Sequence, residues 1–201
     1  MTSAELPALL DCTVADFLEL LAAKQPAPGG GAVAATTVAM AAGLLGMAAR
    51  YSAAQLIDSP ARAAHADRLK DQAAALVDQD DAAYQAVLAA FALPREPDPQ
   101  VRCRQIRSTL KRAARIPMEI AETASVITIE AVELIKRGNR NLRGDAFTAA
   151  TLAAAAARAA AELVRLNVEL GSLTSELAER ATRAAQAAAE AITVLNRPED
   201  P

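Results

Sequence analysis

The run from Ala32 to Ala49 carries no charged residue, and most of its side chains are small. Alanine is the strongest helix former, and its small side chain lets two helices approach each other closely. The rest of the chain repeats this bias, since 53% of all residues are hydrophobic while only 2% are aromatic and tryptophan is absent. A sheet core would favour β-branched and aromatic side chains. The sequence therefore predicts an all-α fold in which helices pack on helices.

Helix start and stop signals divide the chain into long segments. Ser59-Pro60 and Asp98-Pro99 each place a capping residue before a proline, which is typical of a helix start. Pro117 is expected to kink or restart the helix that contains it. The predicted helices start at Thr13, near Ala32, at Ser59, at Asp98, at Asp145 and after the turn "ELGSLTSE", and the last ends near Asn196. No repeat or linker interrupts them, so residues 1–201 are expected to form a single-domain bundle of long helices.

Net charge and cysteine content limit the kinds of partner and the cellular compartment that we expect for this chain. The formal net charge of −3 gives no basic patch for nucleic acid. Cys12 and Cys103 lack the CxxC spacing, and two free thiols are typical of a reducing cytoplasm. Residues 32–49 are just long enough to span a membrane, but their weak hydrophobicity favours a buried central helix. We therefore expect a cytoplasmic protein that binds neither nucleic acid nor membrane.

Two polar residues fall on the apolar faces of their helices. Asp80 lies about 220° round its helix from the solvated Asp67, among apolar neighbours. It is either a structural carboxylate that caps another helix or a general acid/base whose pKa is raised by burial. Asn167 lies about 180° from Arg158, on the face opposite the charged one. It either links helices or contacts a ligand.

A polar loop stands between two predicted helices further along the chain. Asn139, Arg140, Asn141 and Arg143 precede Asp145, which is either an ordinary N-cap or part of a site. Asp145 and Asn167 share a helix face, but 22 residues at 1.5 Å rise separate them by about 33 Å. Only a dimer or a helix break would bring both to one small ligand.

Three consecutive glycines, Gly29, Gly30 and Gly31, precede the uncharged run. They form either a tight turn that lets helices cross or a backbone cradle for a ligand at a helix N-terminus. They match neither a Walker A loop, which needs Gly-Lys-Ser/Thr, nor a dinucleotide fingerprint, which needs a preceding strand. A di-iron bundle needs Glu-x-x-His pairs, and His65 is the only histidine, so the sequence does not fit a di-iron site.

Several segments follow one another in a recognisable order. Pro28 and the three glycines lead into a helix of small residues. They are followed along the chain by "DQDDAAYQAVLAAFALPR", then "RAARIPMEIAET", then "RGNRNLRGDAFTAA". The last segment is "RLNVELGSLTSE", which contains Asn167. In order and spacing these segments resemble the cyclodeaminase/cyclohydrolase family of folate enzymes. That family includes bacterial methenyltetrahydrofolate cyclohydrolases and the formiminotetrahydrofolate cyclodeaminase domain.

The resemblance implies an all-helical homodimer that acts on one-carbon adducts of tetrahydrofolate, with no metal and no cofactor beyond that substrate. Asp80 and Asp145 match positions that we expect to transfer protons. The expected substrate-binding residues are Gly29, Gly30, Gly31, Asn139, Asn141 and Asn167. The chain departs from the family pattern at Ala82, Gly144 and Leu163, and "YSAAQLID" replaces a small basic cluster after the second helix. These departures bear on activity rather than on the fold.

The expected reaction is hydrolysis of 5,10-methenyltetrahydrofolate to the 10-formyl form. The same residue types would serve a formimidoyltetrahydrofolate cyclodeaminase that releases ammonia. A third possibility is a non-catalytic helical dimer that binds folate, which the missing basic cluster favours and the retained aspartates and glycines oppose.

Overall fold

The computed structural model of the chain describes residues 9–95 and 98–195. These residues contain no β-strand, which confirms the all-α prediction. The α-helices of the described residues are α1 (Val14–Ala22), α2 (Gly30–Arg50), α3 (Ser59–Ala92), α4 (Pro99–Arg137), α5 (Arg143–Leu170) and α6 (Glu176–Leu195). Short 3-10 helices cover Leu9–Asp11 and Arg140–Leu142. The predicted end of the last helix at Asn196 lies outside the described residues.

The α2 helix forms the centre of the bundle and packs against α3, α4 and α5. Its alanines at 32, 35, 41 and 49 are fully buried together with Val38. Such small side chains let the neighbouring helices approach closely. By length and hydropathy α2 and the segment Arg140–Leu170 could span a membrane, yet 56% of the α2 window is buried inside the protein. The prediction of a buried central helix is confirmed.

Side-chain caps account for two of the helix starts. The hydroxyl oxygen of Thr13 accepts the backbone N–H of Asp16, and the carboxylate of Asp98 accepts those of Gln100 and Val101. Both predicted caps are therefore confirmed.

Two other predicted caps are wrong. The N-cap of α3 is Asp58, and the buried Ser59 instead donates its hydroxyl to the carbonyl of Ala49 at 2.6 Å. Asp145 does not cap α5, because the preceding 3-10 helix runs directly into that helix and places its start at Arg143. Asp145 thus lies inside the first turn, where its charge still favours the helix N-terminus.

Long continuous helices set the distances between the polar residues. The α4 helix continues through the buried Pro117 rather than restarting there. The α5 helix has no break between Asp145 and Asn167, so these two residues lie about 33 Å apart along one protomer. A helix break therefore does not bring Asp145 and Asn167 together, which leaves a dimer as the remaining possibility.

Candidate functional site

The triple glycine and Asp80 meet at the N-terminus of α2. Gly29 is the N-cap and has no side chain to accept the first free N–H groups of the helix. The Asp80 carboxylate, from the middle of α3, takes that place and accepts the backbone N–H of Ala32. A Cβ atom on Gly31 would lie 2.1 Å from Asp80 Oδ1, so only glycine permits this approach. None of the described glycines has a positive φ. Gly31 therefore serves close packing rather than an unusual backbone conformation.

The surroundings of Asp80 favour its neutral form. Burial raises the pKa of its carboxyl group to about 6, with a smaller contribution from the neighbouring Asp81. The hydrogen bond from Ala32 acts in the opposite direction and does not offset the burial. A carboxyl group with a pKa near the working pH is suited to general acid/base catalysis.

A cavity of about 340 Å³ opens beside this carboxylate. It is formed by residues from α2, α3, α4 and α5 and from the segment that leads into α2. Its lining includes Gly29, Gly30, Gly31, Asp80, Asp81, Tyr84, Ala113, Pro117, Leu163 and Asn167. The structure therefore brings the three glycines, Asp80 and Asn167 into one cavity. These residues are among those that the family resemblance matched to the expected site.

The polar groups of this cavity face apolar walls. No described residue accepts the backbone N–H of Gly30 or Gly31, so both N–H groups remain available to a ligand. Tyr84, Leu166 and Leu170 line the cavity and remain partly exposed, which leaves it open on one side. The arrangement suits a flat, mainly apolar molecule with polar edges, placed next to a carboxyl group that can exchange a proton.

Asn139, Asn141 and Asp145 lie at the opposite end of α5 and do not line this cavity. The Asn139 side chain donates to the carbonyl of Tyr51 at 2.9 Å and accepts the backbone N–H of Asn141 at 3.0 Å. It therefore holds the loop in place. The Asn141 side chain is exposed and Asp145 is half-buried. Within one protomer the predicted site residues form two separate groups.

The sequence analysis missed the wall that α4 contributes, namely Ala113 and Pro117. A proline inside a long helix was the available signal, because it removes a backbone donor at a defined point. Among the described residues no group of three His, Cys, Asp or Glu side chains could hold a metal ion.

Comparison with known proteins agrees with this architecture. Residues 13–188 match the family described as Formiminotransferase-cyclodeaminase. The chain is 34% identical over 156 residues to a formimidoyltransferase-cyclodeaminase of Rattus norvegicus, an alignment that covers 71% of this chain but 28% of the rat protein. It is 28% identical over 149 residues to a methenyltetrahydrofolate cyclohydrolase of Methylorubrum extorquens, covering 70% of this chain and 72% of that protein.

A solved structure shows the same fold. The crystal structure of a formiminotetrahydrofolate cyclodeaminase from Thermotoga maritima superposes with a TM-score of 0.74 at 20% identity. The superposition covers 93% of this chain and 98% of the other. Together with the family match over residues 13–188, these likenesses show that the chain belongs to the formiminotransferase-cyclodeaminase family.

Proposed function

We propose that this chain is an enzyme of folate one-carbon chemistry and that it hydrolyses 5,10-methenyltetrahydrofolate to 10-formyltetrahydrofolate. The observation that carries the proposal is the single cavity in which the glycine-rich start of α2, Asn167 and a carboxyl group of raised pKa meet. The similarity to the Methylorubrum cyclohydrolase, over 72% of that protein's length, supports the choice of reaction.

The reaction needs positioning and proton transfer more than strong activation. The methenyl carbon lies between two nitrogens that share a positive charge, and it is therefore already electrophilic. Water adds its oxygen to this carbon and loses a proton. The bond from the carbon to one ring nitrogen then breaks as that nitrogen takes up a proton, and the hydroxyl group of the adduct gives up its remaining proton to solvent and becomes the formyl carbonyl. One proton is released overall, which balances the positive charge of the substrate. A group that first accepts and then returns a proton serves both steps.

Asp80 is suited to both roles. With a pKa of about 6 it is mostly ionised at neutral pH and can accept the proton of the attacking water. Once protonated, it can return that proton to the departing nitrogen. The Gly30 and Gly31 N–H groups would hold a carbonyl edge of the substrate, and Asn167 would orient the water or the ring.

A second copy of the chain would supply the residues that lie far from the cavity, namely Asp145, Asn139 and Asn141. A two-fold dimer that places this loop of one protomer over the open side of the partner's cavity would join the two groups of residues. The exposed Tyr84, Leu166 and Leu170 at that opening provide apolar surface for such a contact. Asp145 would then be a second proton-transfer group.

The principal alternative is cyclodeamination, in which a formimino adduct closes its ring and ammonia leaves. The 34% identity to the rat bifunctional protein favours this reading. The same carboxyl group would protonate the departing nitrogen. Release of ammonia from 5-formimidoyltetrahydrofolate, without loss of added methenyltetrahydrofolate, would select the alternative.

The test of the proposal follows the methenyl chromophore with the wild-type chain and with Asp80→Asn. We expect the substitution to slow turnover by about 100-fold or more, the usual contribution of a general acid/base. The matched control is Asp71→Asn on the exposed side of the same helix, which should leave the rate unchanged. Equal rates for all three proteins would remove Asp80 from the mechanism. Folate binding without turnover in the wild type would instead identify a non-catalytic binding protein.

A further inference from the structure

The outer side of α2 is uncovered although it carries no charge. From Gly30 to Ala49 this helix has no charged residue on any side. A helix without charge all round is normally buried all round. Yet Val33 and Met40 are exposed, and a Cβ atom on Gly43 would meet nothing within 4 Å. We therefore expect another molecule to cover this side of α2.

The uncovered residues form a regular seam along the helix. They are spaced alternately four and three residues apart, which places them in one sector of about 80°. This is the spacing with which two helices pack side by side. The one hydroxyl group among them, that of Thr37, donates to the carbonyl of Val33 at 2.8 Å and needs no water as acceptor. The outer seam of α2 consists of Val33, Thr37, Met40, Leu44 and Met47.

The neighbouring α5 widens this apolar surface. It runs antiparallel to α2, because Leu163 lies beside Gly30 at one end and Asn139 binds the carbonyl of Tyr51 at the other. The exposed Leu166 lies about 60° round α5 from Leu163, on the same side of the helix. The apolar surface thus extends from the cavity to the loop before α5.

We propose that a second copy of this chain covers the outer seam, with its α2 antiparallel to this α2 and the two-fold axis at Met40. Met40 is the middle residue of α2, so the pairing sets the seam against itself and places Val33 opposite the partner's Met47. The pairing rests on the surfaces of α2 and α5, whereas its part in catalysis rests on the proposed function.

This pairing brings the two separated groups of site residues together. The α2 helix is about 31 Å long, with the cavity at its N-terminal end and the loop at its C-terminal end. An antiparallel partner therefore sets its loop beside this cavity. Within α5, Leu163 is level with Gly30. At 1.5 Å per residue the partner's Asp145 then lies level with Ala161, about 9 Å along α5 from Asn167.

The charges at the two ends of the surface favour the antiparallel direction. Asp80 and Asp81 line the cavity end. Arg140 and Arg143 are exposed at the loop end, and neither makes an ion pair with a residue that the structure describes. Asp145 is the only carboxylate in residues 138–145, so the loop keeps a net positive charge. A parallel partner would set like charges together, whereas an antiparallel one sets opposite charges and opposite helix ends together.

The test is cross-linking of the full chain by a short bismaleimide, after Cys12 and Cys103 have been replaced by serine. Met40→Cys should cross-link to itself, because it lies at the two-fold axis. Val33→Cys and Met47→Cys should each give no covalent dimer alone and should cross-link to each other after co-refolding. The control is Thr193→Cys, exposed on α6, which should give no covalent dimer.

A charge substitution tests the interface without a cross-linker. Met40→Glu sets two like charges against each other at the axis and should raise the dissociation constant of the dimer about 100-fold or more. Met40 is 55% exposed in the protomer, so the variant should still fold, as its circular dichroism will show. Thr193→Glu is the matched control and should remain dimeric. Both dissociation constants are measured by analytical ultracentrifugation.

The outcomes separate this inference from the proposed function. A monomeric wild type, or Val33→Cys that cross-links to itself, would overturn the inference. A monomer that sediments with vesicles of phosphatidylcholine and phosphatidylglycerol would overturn it in favour of a membrane. Turnover by folded, monomeric Met40→Glu at the wild-type rate would show that the partner completes no site. A wild type with the expected cross-links that consumes no methenyl substrate would keep the pairing and overturn the proposed function.

Discussion

Asp80 has contacts that fit both interpretations of its place in the sequence. It accepts the Ala32 N–H at the N-terminus of α2, as a capping carboxylate would, and it lines the cavity, as a catalytic carboxylate would. A helix N-terminus favours negative charge. Burial disfavours the negative charge and has a larger effect than the helix N-terminus, because the net result is a raised pKa for Asp80. The ionised form of Asp80 is therefore held at a cost to stability.

This conflict predicts a pH-dependent stability. The pKa of Asp80 is 3.8 in the unfolded reference and about 6 in the folded chain, so the folded state binds the proton more tightly. The resulting stabilisation is fully present below pH 3.8 and is lost as the pH rises through 6. Asp80→Asn carries no charge and should therefore melt at a higher temperature than the wild type at pH 8. The difference should shrink as the pH falls from 7 to 4, as measured by thermal unfolding followed by circular dichroism. Parallel curves at all pH values would show that burial does not control Asp80.

Helical periodicity identified Asp80 and Asn167 from the sequence because it needs only the angle of each residue round its own helix. The contact between Gly31 and Asp80 was not predictable in this way. It depends on how α2 crosses α3, which is set by the packing of many small side chains at once.

At the scale of elements, the loop between α4 and α5 is fixed by side-chain hydrogen bonds. Ser52, just after α2, is buried, donates to the carbonyl of Ala48 at 2.7 Å and accepts the backbone N–H of Asn139 at 2.9 Å. Asn139 in turn binds the carbonyl of Tyr51 and the N–H of Asn141. The C-terminal end of α2 and the loop thus form one connected junction.

This junction predicts different roles for its two asparagines. Asn139→Ala removes two hydrogen bonds, so it should lower the free energy of unfolding in urea by about 1–2 kcal/mol. The side chain of Asn141 makes no hydrogen bond with described residues and is exposed, so Asn141→Ala should leave stability unchanged. If Asn141 contacts the substrate in a dimer, its substitution should change KM instead. Equal stabilities of the two variants would show that the Asn139 amide does not hold the loop.

The sequence predicted a helix start correctly where the contact that fixes the start joins residues close together in the chain. The side-chain caps at Thr13 and Asp98 involve residues within three positions, and both were predicted. The start of α5 was misplaced because a 3-10 turn at Arg140–Leu142 continues directly into the helix. The α4 helix was expected to kink or restart at Pro117. The helix does not restart there, because packing on both of its sides outweighs one lost hydrogen bond.

At the scale of the whole molecule, α5 is a continuous rod that carries Asn167 at the cavity and Asp145 at the far end. Both were matched to positions of one site by resemblance, yet they lie about 33 Å apart within a protomer. An isologous dimer in which each far end lies beside the partner's cavity would bring the two residues together at two equivalent sites. Each site would then need Asp80 from one protomer and Asp145 from its partner.

Mixed dimers test this arrangement without knowledge of the interface. Asp80→Asn and Asp145→Ala should each be nearly inactive alone. After co-refolding in equal amounts, half of the dimers contain one chain of each kind, and one of their two sites has both aspartates intact. Activity should therefore return to about one quarter of the wild-type value under two-fold symmetry. A site contained within one protomer gives no recovery, because each chain then carries a defective site of its own. The control is refolding of each variant with itself, which should restore nothing. Absence of recovery, despite hybrid dimers seen by native mass spectrometry, would show that Asp145 does not complete the partner's site.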